Sequence, residues 1–243
     1  MIDLHCHILP GVDDGADSLG QALEMARIAA DSGLRTVVAT PHCNLPWEES
    51  ENFAGTMVQP LALLRQAVKA AQIPLELLPG GEIFCTPDFP DLLEQRKLQT
   101  LADSRYLLME FYFDESPEFM EICFQEAFRR GYIPVAAHPE RYDAVYRDPE
   151  LVPRWFRRGC IIQLNKGSIL GRLGNRAETV SRHLLERGFA HAVASDAHSP
   201  NARTPHMTRI LRHLEDTYAP GYARILLSRN PERIIQNQNV LNP

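Results

Sequence analysis

The sequence predicts an α/β fold: a parallel (β/α) barrel formed by one domain spanning residues 1–243. Three observations predict it. Short β-rich runs alternate with longer amphipathic runs along the chain. Seven strand-then-helix units fit into 243 residues, which suits a closed barrel better than the alternative, an open doubly wound sheet. Metal-type side chains recur where each β-run gives way to its loop, the rim on which parallel barrels collect their chemistry.

The strand candidates, in order, are MIDLHCHI, RTVVAT, LELLPGGEIF, RYLLMEF, IPVAAHP, CIIQLN and HAVASDAH. Between them lie helical runs such as SLGQALEMARIAADSG, FMEICFQEAFRRG and AETVSRHLLERG, each stopped by glycine. Ser18 is the expected N-cap of the first. The Pro-bearing stretch 44–60 reads as a long loop entering a helix. No linker, repeat or shift in composition marks a second domain.

Hydrophobic residues make up 44% and charged residues 23%, the balance of a globular protein. The formal charge of −6 argues against a nucleic-acid partner, which calls for a basic surplus. Five cysteines, an odd number with no CxxC pair, do not make a disulfide framework. No apolar run reaches the roughly 20 residues of a membrane helix, and no basic n-region with an apolar stretch opens the chain. The expectation is therefore a cytoplasmic protein without membrane insertion.

Six of the seven β-runs deliver a metal-type side chain to the rim. His5 and His7 end the first; His42, Glu82, Glu110 and His138 follow in turn; Asp196 and His198 end the last, and Asp14 lies in the first loop. Residues two apart on a strand share a face, so His5 pairs with His7 and Asp196 with His198, while Cys6 turns away. Imidazole mixed with carboxylate suits Mn, Fe or Zn, and the lack of a cysteine pattern argues against a structural zinc finger. Nine ligands are too many for one ion. They suit two or three: the carboxylates sum to about −4, so two divalent ions leave the cluster about neutral, and three leave it at about +2 and attractive to a phosphate dianion.

Other polar residues carry plainer readings. His183, His191, His206 and His213 fall on helix surfaces or strand starts. Asp13 and Asp14 sit where turn chemistry alone could explain them. Cys123 and Arg129 match C-x5-R, but CFQEAFR lacks a glycine loop to cradle phosphate and lies in an amphipathic helix. Cys6, Cys43 and Cys85 read as small core fillers. Arg141 and Arg203, on rim loops, suit bidentate phosphate recognition.

DLHCHILPGVDDGA, ATPH, GGEI, MEF, AHPERY, QLNKGSILG and SDAH occur in that order, from residue 2 to about residue 203. This resembles the polymerase and histidinol phosphatase (PHP) superfamily, and within it the bacterial capsule and exopolysaccharide tyrosine-protein phosphatases. The final NPERII also matches. The resemblance implies a distorted seven-stranded barrel, a PHP metal-dependent phosphatase domain over residues 1–243, and three divalent ions, manganese first, with iron or zinc as alternatives. It assigns the ligands His5, His7, Asp14 (rather than Asp13), His42, Glu82, Glu110, His138, Asp196 and His198, with phosphate contacts from Arg141 and Arg203. Asp14, His42 and Asp196 are the candidates for moving a proton. The chemistry implied is attack of ion-activated water in line with the leaving phenolate, without a phosphocysteine. The partner implied is a bacterial tyrosine kinase that controls capsular polysaccharide; oligomeric state stays open. CNLPWEES after His42 is the unusual stretch and bears on substrate entry. Two other classes remain: a small-molecule phosphoesterase such as a histidinol phosphatase, and a non-enzymatic metal-binding module.

Overall fold

The structure, a computed structural model, describes residues 1–47 and 52–242. Its elements run β1 (Ile2–Cys6), α1 (Leu19–Asp31), β2 (Thr36–Ala39), β3 (His42–Cys43), α2 (Phe53–Ala70), β4 (Glu76–Pro79) and β5 (Glu82–Phe84). They continue with α3 (Phe89–Glu94), β6 (Tyr106–Glu110), α4 (Pro117–Arg129), β7 (Ile133–Ala137), α5 (Asp143–Arg147), α6 (Leu151–Arg157) and β8 (Ile161–Asn165). The last are α7 (Lys166–Ile169), α8 (Asn175–Glu186), β9 (Ala192–Ala194), α9 (Thr208–Thr217), α10 (Tyr222–Arg224) and α11 (Asn230–Ile235).

Every strand pairing is parallel. One sheet runs β1-β2-β4 and the other β3-β5-β6-β7-β8-β9. β2 and β3 are two pieces of one strand interrupted at Thr40-Pro41; β4 and β5 are likewise interrupted at Gly80-Gly81. A bridge between Cys6 and Ala197 closes the ring, with Asp196 N donating to His5 O at 2.9 Å and His7 N to Ala197 O at 2.8 Å. The result is a distorted seven-stranded (β/α) barrel. LELLPGGEIF, expected as one strand, is thus broken in two, because successive glycine peptides let the chain step between sheets.

Two sets of apolar side chains follow from strand alternation. Leu4, Val38, Leu108, Val135, Ile161 and Ala192, from six of the seven strands, pack together with Leu78 of β4 at the cluster's edge. Residues from all seven strands meeting in one cluster make this the barrel interior, and Leu101 and Ile234 join it. The intervening residues, among them Val37, Leu107, Met109, Ala136, Ile162 and Val193, face the helices. In β1 the register slips between Asp3 and Cys6, where an extra residue bulges against β2. The slip lets Leu4 point into the apolar interior while His5 and His7 above it also point inward.

The helix signals behave as read. Ser18 caps α1 by accepting from Gln21 N, and Gly33, Gly131 and Gly188 follow α1, α4 and α8 with positive φ. The stretch 44–60 differs from its expectation: residues 53–60 are already helical. Asn52 caps α2 by accepting from Gly55 N at 3.0 Å, and Phe53, Met57, Leu61, Leu64 and Val68 form its buried stripe. That burial outweighs the backbone bond lost at Pro60. Residues 48–50 of CNLPWEES lie outside the described residues.

Candidate metal centre

All nine predicted residues converge above the apolar layer. Among the described residues, four overlapping groups bring their donor atoms within 4.8 Å of one another: His7-Asp14-His42-His198, His5-His7-Asp196, His5-Glu82-His138 and His42-Glu82-Glu110. His5, His7, His42 and Glu82 each belong to two groups. No cysteine enters any of them, and all five cysteines are buried.

Glu82 is the hub. Its carboxylate lies 3.1 Å from His5 Nε2, 3.2 Å from His7 Nε2, 3.3 Å from His42 Nδ1 and 3.0 Å from His138 Nε2. Burial opposes its charge, yet the imidazoles of His5, His138 and His7 hold its carboxyl well below the ordinary range. Burial likewise opposes ionisation of Asp196, and His5, His138 and Arg203 overcome it. Burial lowers the affinity of His5 for a proton, but Glu82 and Asp196 raise its pKa above the usual value. His198 goes the other way, down to about 3, through burial and then the neighbouring His7, whose ring centroid is 3.8 Å away.

Left-handed turns aim two of these groups. His138 at φ +32° and Asp196 at φ +49° leave β7 and β9 in a conformation that costs on the order of 1–3 kcal/mol outside glycine. Gly15 is required by close approach, since a Cβ there would sit 2.1 Å from the His7 carbonyl oxygen. Asp14 then reaches His42 Nε2 at 3.5 Å and His198 Nε2 at 3.4 Å, its side chain 65% exposed.

The two arginines arrive from opposite loops. Pro139 starts a single 3₁₀ turn that carries Arg141 back over the rim, 3.5 Å from Asp196. Arg203 meets the other Asp196 oxygen at 2.5 Å. Lys166 braces the Arg203 loop by donating to the carbonyls of Thr204 and His206.

Several residues were missed by sequence reasoning. Asp13, read as plain turn chemistry, accepts from His7 Nδ1 at 2.6 Å and from His42 N at 3.0 Å. A carboxylate can only accept, so His7 donates from Nδ1, which leaves Nε2 as the nitrogen that faces the cluster and would bind an ion. Burial opposes its charge, yet bonding to His7 takes the Asp13 pKa down to about 2. Gln163, whose amide nitrogen donates to Leu164 O, accepts from His5 Nδ1 at 3.0 Å and orients that ring in the same way. Asn165 donates to Asp196 at 2.5 Å, and its backbone N donates to Glu140 at 2.9 Å. The signal was present: Gln163 and Asn165 are polar residues two apart in CIIQLN, the one run without a metal-type residue. His206 is exposed and has no place in the cluster; His191 is buried and accepts from Ile162 N, a structural role.

The donor set fits borderline divalent cations. His5 Nε2 and His7 Nε2 face each other at 3.1 Å, each with its Nδ1 already bonded, and carboxylates surround them. Lone pairs this close repel unless a proton or a cation lies between them.

The family model described as capsular polysaccharide synthesis, CpsB/CapC, matches residues 1–236. Tyrosine-protein phosphatase YwqE of Bacillus subtilis (strain 168) is 37% identical over 240 residues, 99% of this chain and 93% of that protein. Tyrosine-protein phosphatase CpsB of Streptococcus pneumoniae is 32% identical over 245 residues, covering 98% and 99%. A solved structure from work on YwqE and CpsB, described as unique metal-dependent tyrosine phosphatases, superimposes with a TM-score of 0.93 at 36% identity, covering 100% of this chain and 97% of that one. The phosphotriesterase of Mycobacterium tuberculosis superimposes with a TM-score of 0.56 at 12% identity, a likeness of fold alone.

Proposed function

From the premise that this chain belongs to the CpsB/CapC family of capsular polysaccharide synthesis, we propose that it is a metal-dependent phosphotyrosine-protein phosphatase. The observation that carries the reading is the convergence of nine imidazole and carboxylate side chains beside two arginines that share Asp196. Residues 1–243 act as one PHP-type domain. His5, His7, Asp14, His42, Glu82, Glu110, His138, Asp196 and His198 hold three divalent ions, manganese first, with iron or zinc as the alternatives. The substrate is a phosphotyrosine protein, a bacterial tyrosine kinase that controls capsular or exopolysaccharide synthesis, met in the cytoplasm. No described helix is long and apolar enough to cross a membrane.

When bound, the ions supply Lewis acidity, lowering the pKa of water and neutralising phosphate oxygens. The chain's own residues do the rest. Arg141 and Arg203 grip non-bridging oxygens as charge builds on them. Asp13 and Gln163 fix the tautomers of His7 and His5, so that the Nε2 atoms present lone pairs. His42 and Asp14 have side chains 16% and 65% exposed, and they are the route by which a proton passes between the site and bulk water. The buried Asp196 is held as a carboxylate by the groups around it and anchors both arginines.

Hydrolysis of an aryl phosphate before and after chelation tests the reading, with a phosphotyrosine peptide and histidinol phosphate assayed in parallel. Loss of turnover on metal removal, its return on adding Mn²⁺ and preference for the peptide are expected. Turnover that survives a metal-free state refutes the scheme, and preference for histidinol phosphate moves the protein to the small-molecule class.

A further inference from the structure

We propose that the aromatic cleft adjoining the nine-residue cluster seats the phenyl ring of the phosphotyrosyl side chain, which makes Trp47 and Tyr112 specificity-determining residues. This rests on the phosphatase reading above and deepens it, because it names what selects an aryl ester over an alkyl one.

The cleft measures about 390 Å³ and is lined both by Asp14, His42 and Glu110 of the cluster and by the aromatic side chains of Trp47, Phe84 and Tyr112. A tyrosine ester needs both surfaces, polar groups for its phosphate and aromatic ones for its ring. Its volume lies within the roughly 300–1,000 Å³ of small-ligand sites. Two loops form the walls: the one after β3 carries Trp47, and the one after β6 carries Tyr112 and Phe113. Trp47 is 70% exposed and Tyr112 46%, large apolar surface that folding leaves uncovered beside the cluster. Phe84 is buried and meets Tyr112 edge to face at 4.7 Å, so that wall is formed before any ligand arrives. Phe113, also in the lining, ties the cleft to the arginines: the Arg141 guanidinium lies over its ring at 4.4 Å. A serine or threonine phosphate has no ring to meet the aromatic lining. A larger cavity, about 570 Å³, opens beside α4, but charged residues such as Asp114, Glu121, Asp148 and Arg154 line it and none of the nine does.

Binding tests the slot without relying on turnover. Metal-loaded protein is titrated calorimetrically with phenylphosphonate and with methylphosphonate, neither of which can be hydrolysed as an ester. The wild type is expected to bind the phenyl compound about tenfold more tightly, which is about 1.4 kcal/mol. Trp47→Ala combined with Tyr112→Ala removes that preference, whereas Tyr112→Phe, which keeps the ring, retains it. Both side chains are exposed, and circular dichroism verifies that the variants fold. In turnover, the ratio of kcat/KM for a phosphotyrosine peptide over a phosphoserine peptide falls about tenfold in the double variant. Equal affinities in the wild type, no binding at all, or a preference that survives the double substitution overturns the slot. Failure of the phosphatase reading has a different signature: no wild-type turnover of any phosphate ester, whatever the titrations give.

Discussion

The barrel interior holds two layers built by the same strands. In the lower one, Leu4, Val38, Leu108, Val135, Ile161 and Ala192 pack against each other and against Ile234 of α11. In the upper one, the same inward direction carries His5, His7, Glu82 and Glu110. The lower layer removes apolar surface from water, the dominant favourable term in folding. The upper layer buries charge, and even well-paired buried charges barely repay their desolvation. Buried ionic side chains that do little for stability belong to chemistry, so the two layers divide the work of one set of strands: the floor holds the barrel shut and the rim acts.

Substitutions that move one property and spare the other sharpen this contrast. The largest effect is expected from His5→Ala, which lowers aryl phosphate turnover by roughly a thousandfold, a ligand mattering at least as much as a single oxyanion donor. Its thermal midpoint stays near that of the wild type or rises. A large drop in the midpoint, with turnover preserved in the folded fraction, would merge the layers into one. Leu108→Ala is the mirror case. Leu108 is fully buried, and its truncation costs about 2–5 kcal/mol in denaturant unfolding while kcat per folded molecule holds. Asp13→Asn touches the rim from behind. It releases the His7 tautomer and weakens metal affinity by about 10–100-fold, read by metal content against chelator concentration, with little change in unfolding free energy.

The smallest effect separates His191, stacked on Phe156 of α6 on the helix side of the barrel, from the rim histidines. Burial takes the His191 pKa down to about 4, against about 6.5 in an unfolded chain. The unfolded chain takes up the proton first, so the stability tied to this group is intact above about pH 6.5 and drains away as the pH falls toward 4. At pH 5 the loss is about 2 kcal/mol. His191→Gln therefore flattens the pH dependence of unfolding between pH 6.5 and pH 4. An unchanged slope in the variant would deny His191 this role.

The barrel and the positions of its candidate ligands are legible in the chain's own pattern. Both follow from local rules: a period of two along each strand, and the clustering of polar residues where strands end. His5 and His7 share a face for that reason alone, and Cys6 turns outward into the core with the helices. The choice of Asp14 over Asp13 came from resemblance, because two adjacent aspartates in one turn look alike until a partner is known. Folding alone gives Asp13 its work, through a bond to His42 N 29 residues away. It also decided that Gln163 turns the ring of His5, 158 residues distant, and that the Asp3-to-Cys6 bulge points Leu4 and His5 into one interior. Such pairings depend on which segments meet when the ring closes. Sequence spacing sets which way a side chain faces, and closure sets what it finds there.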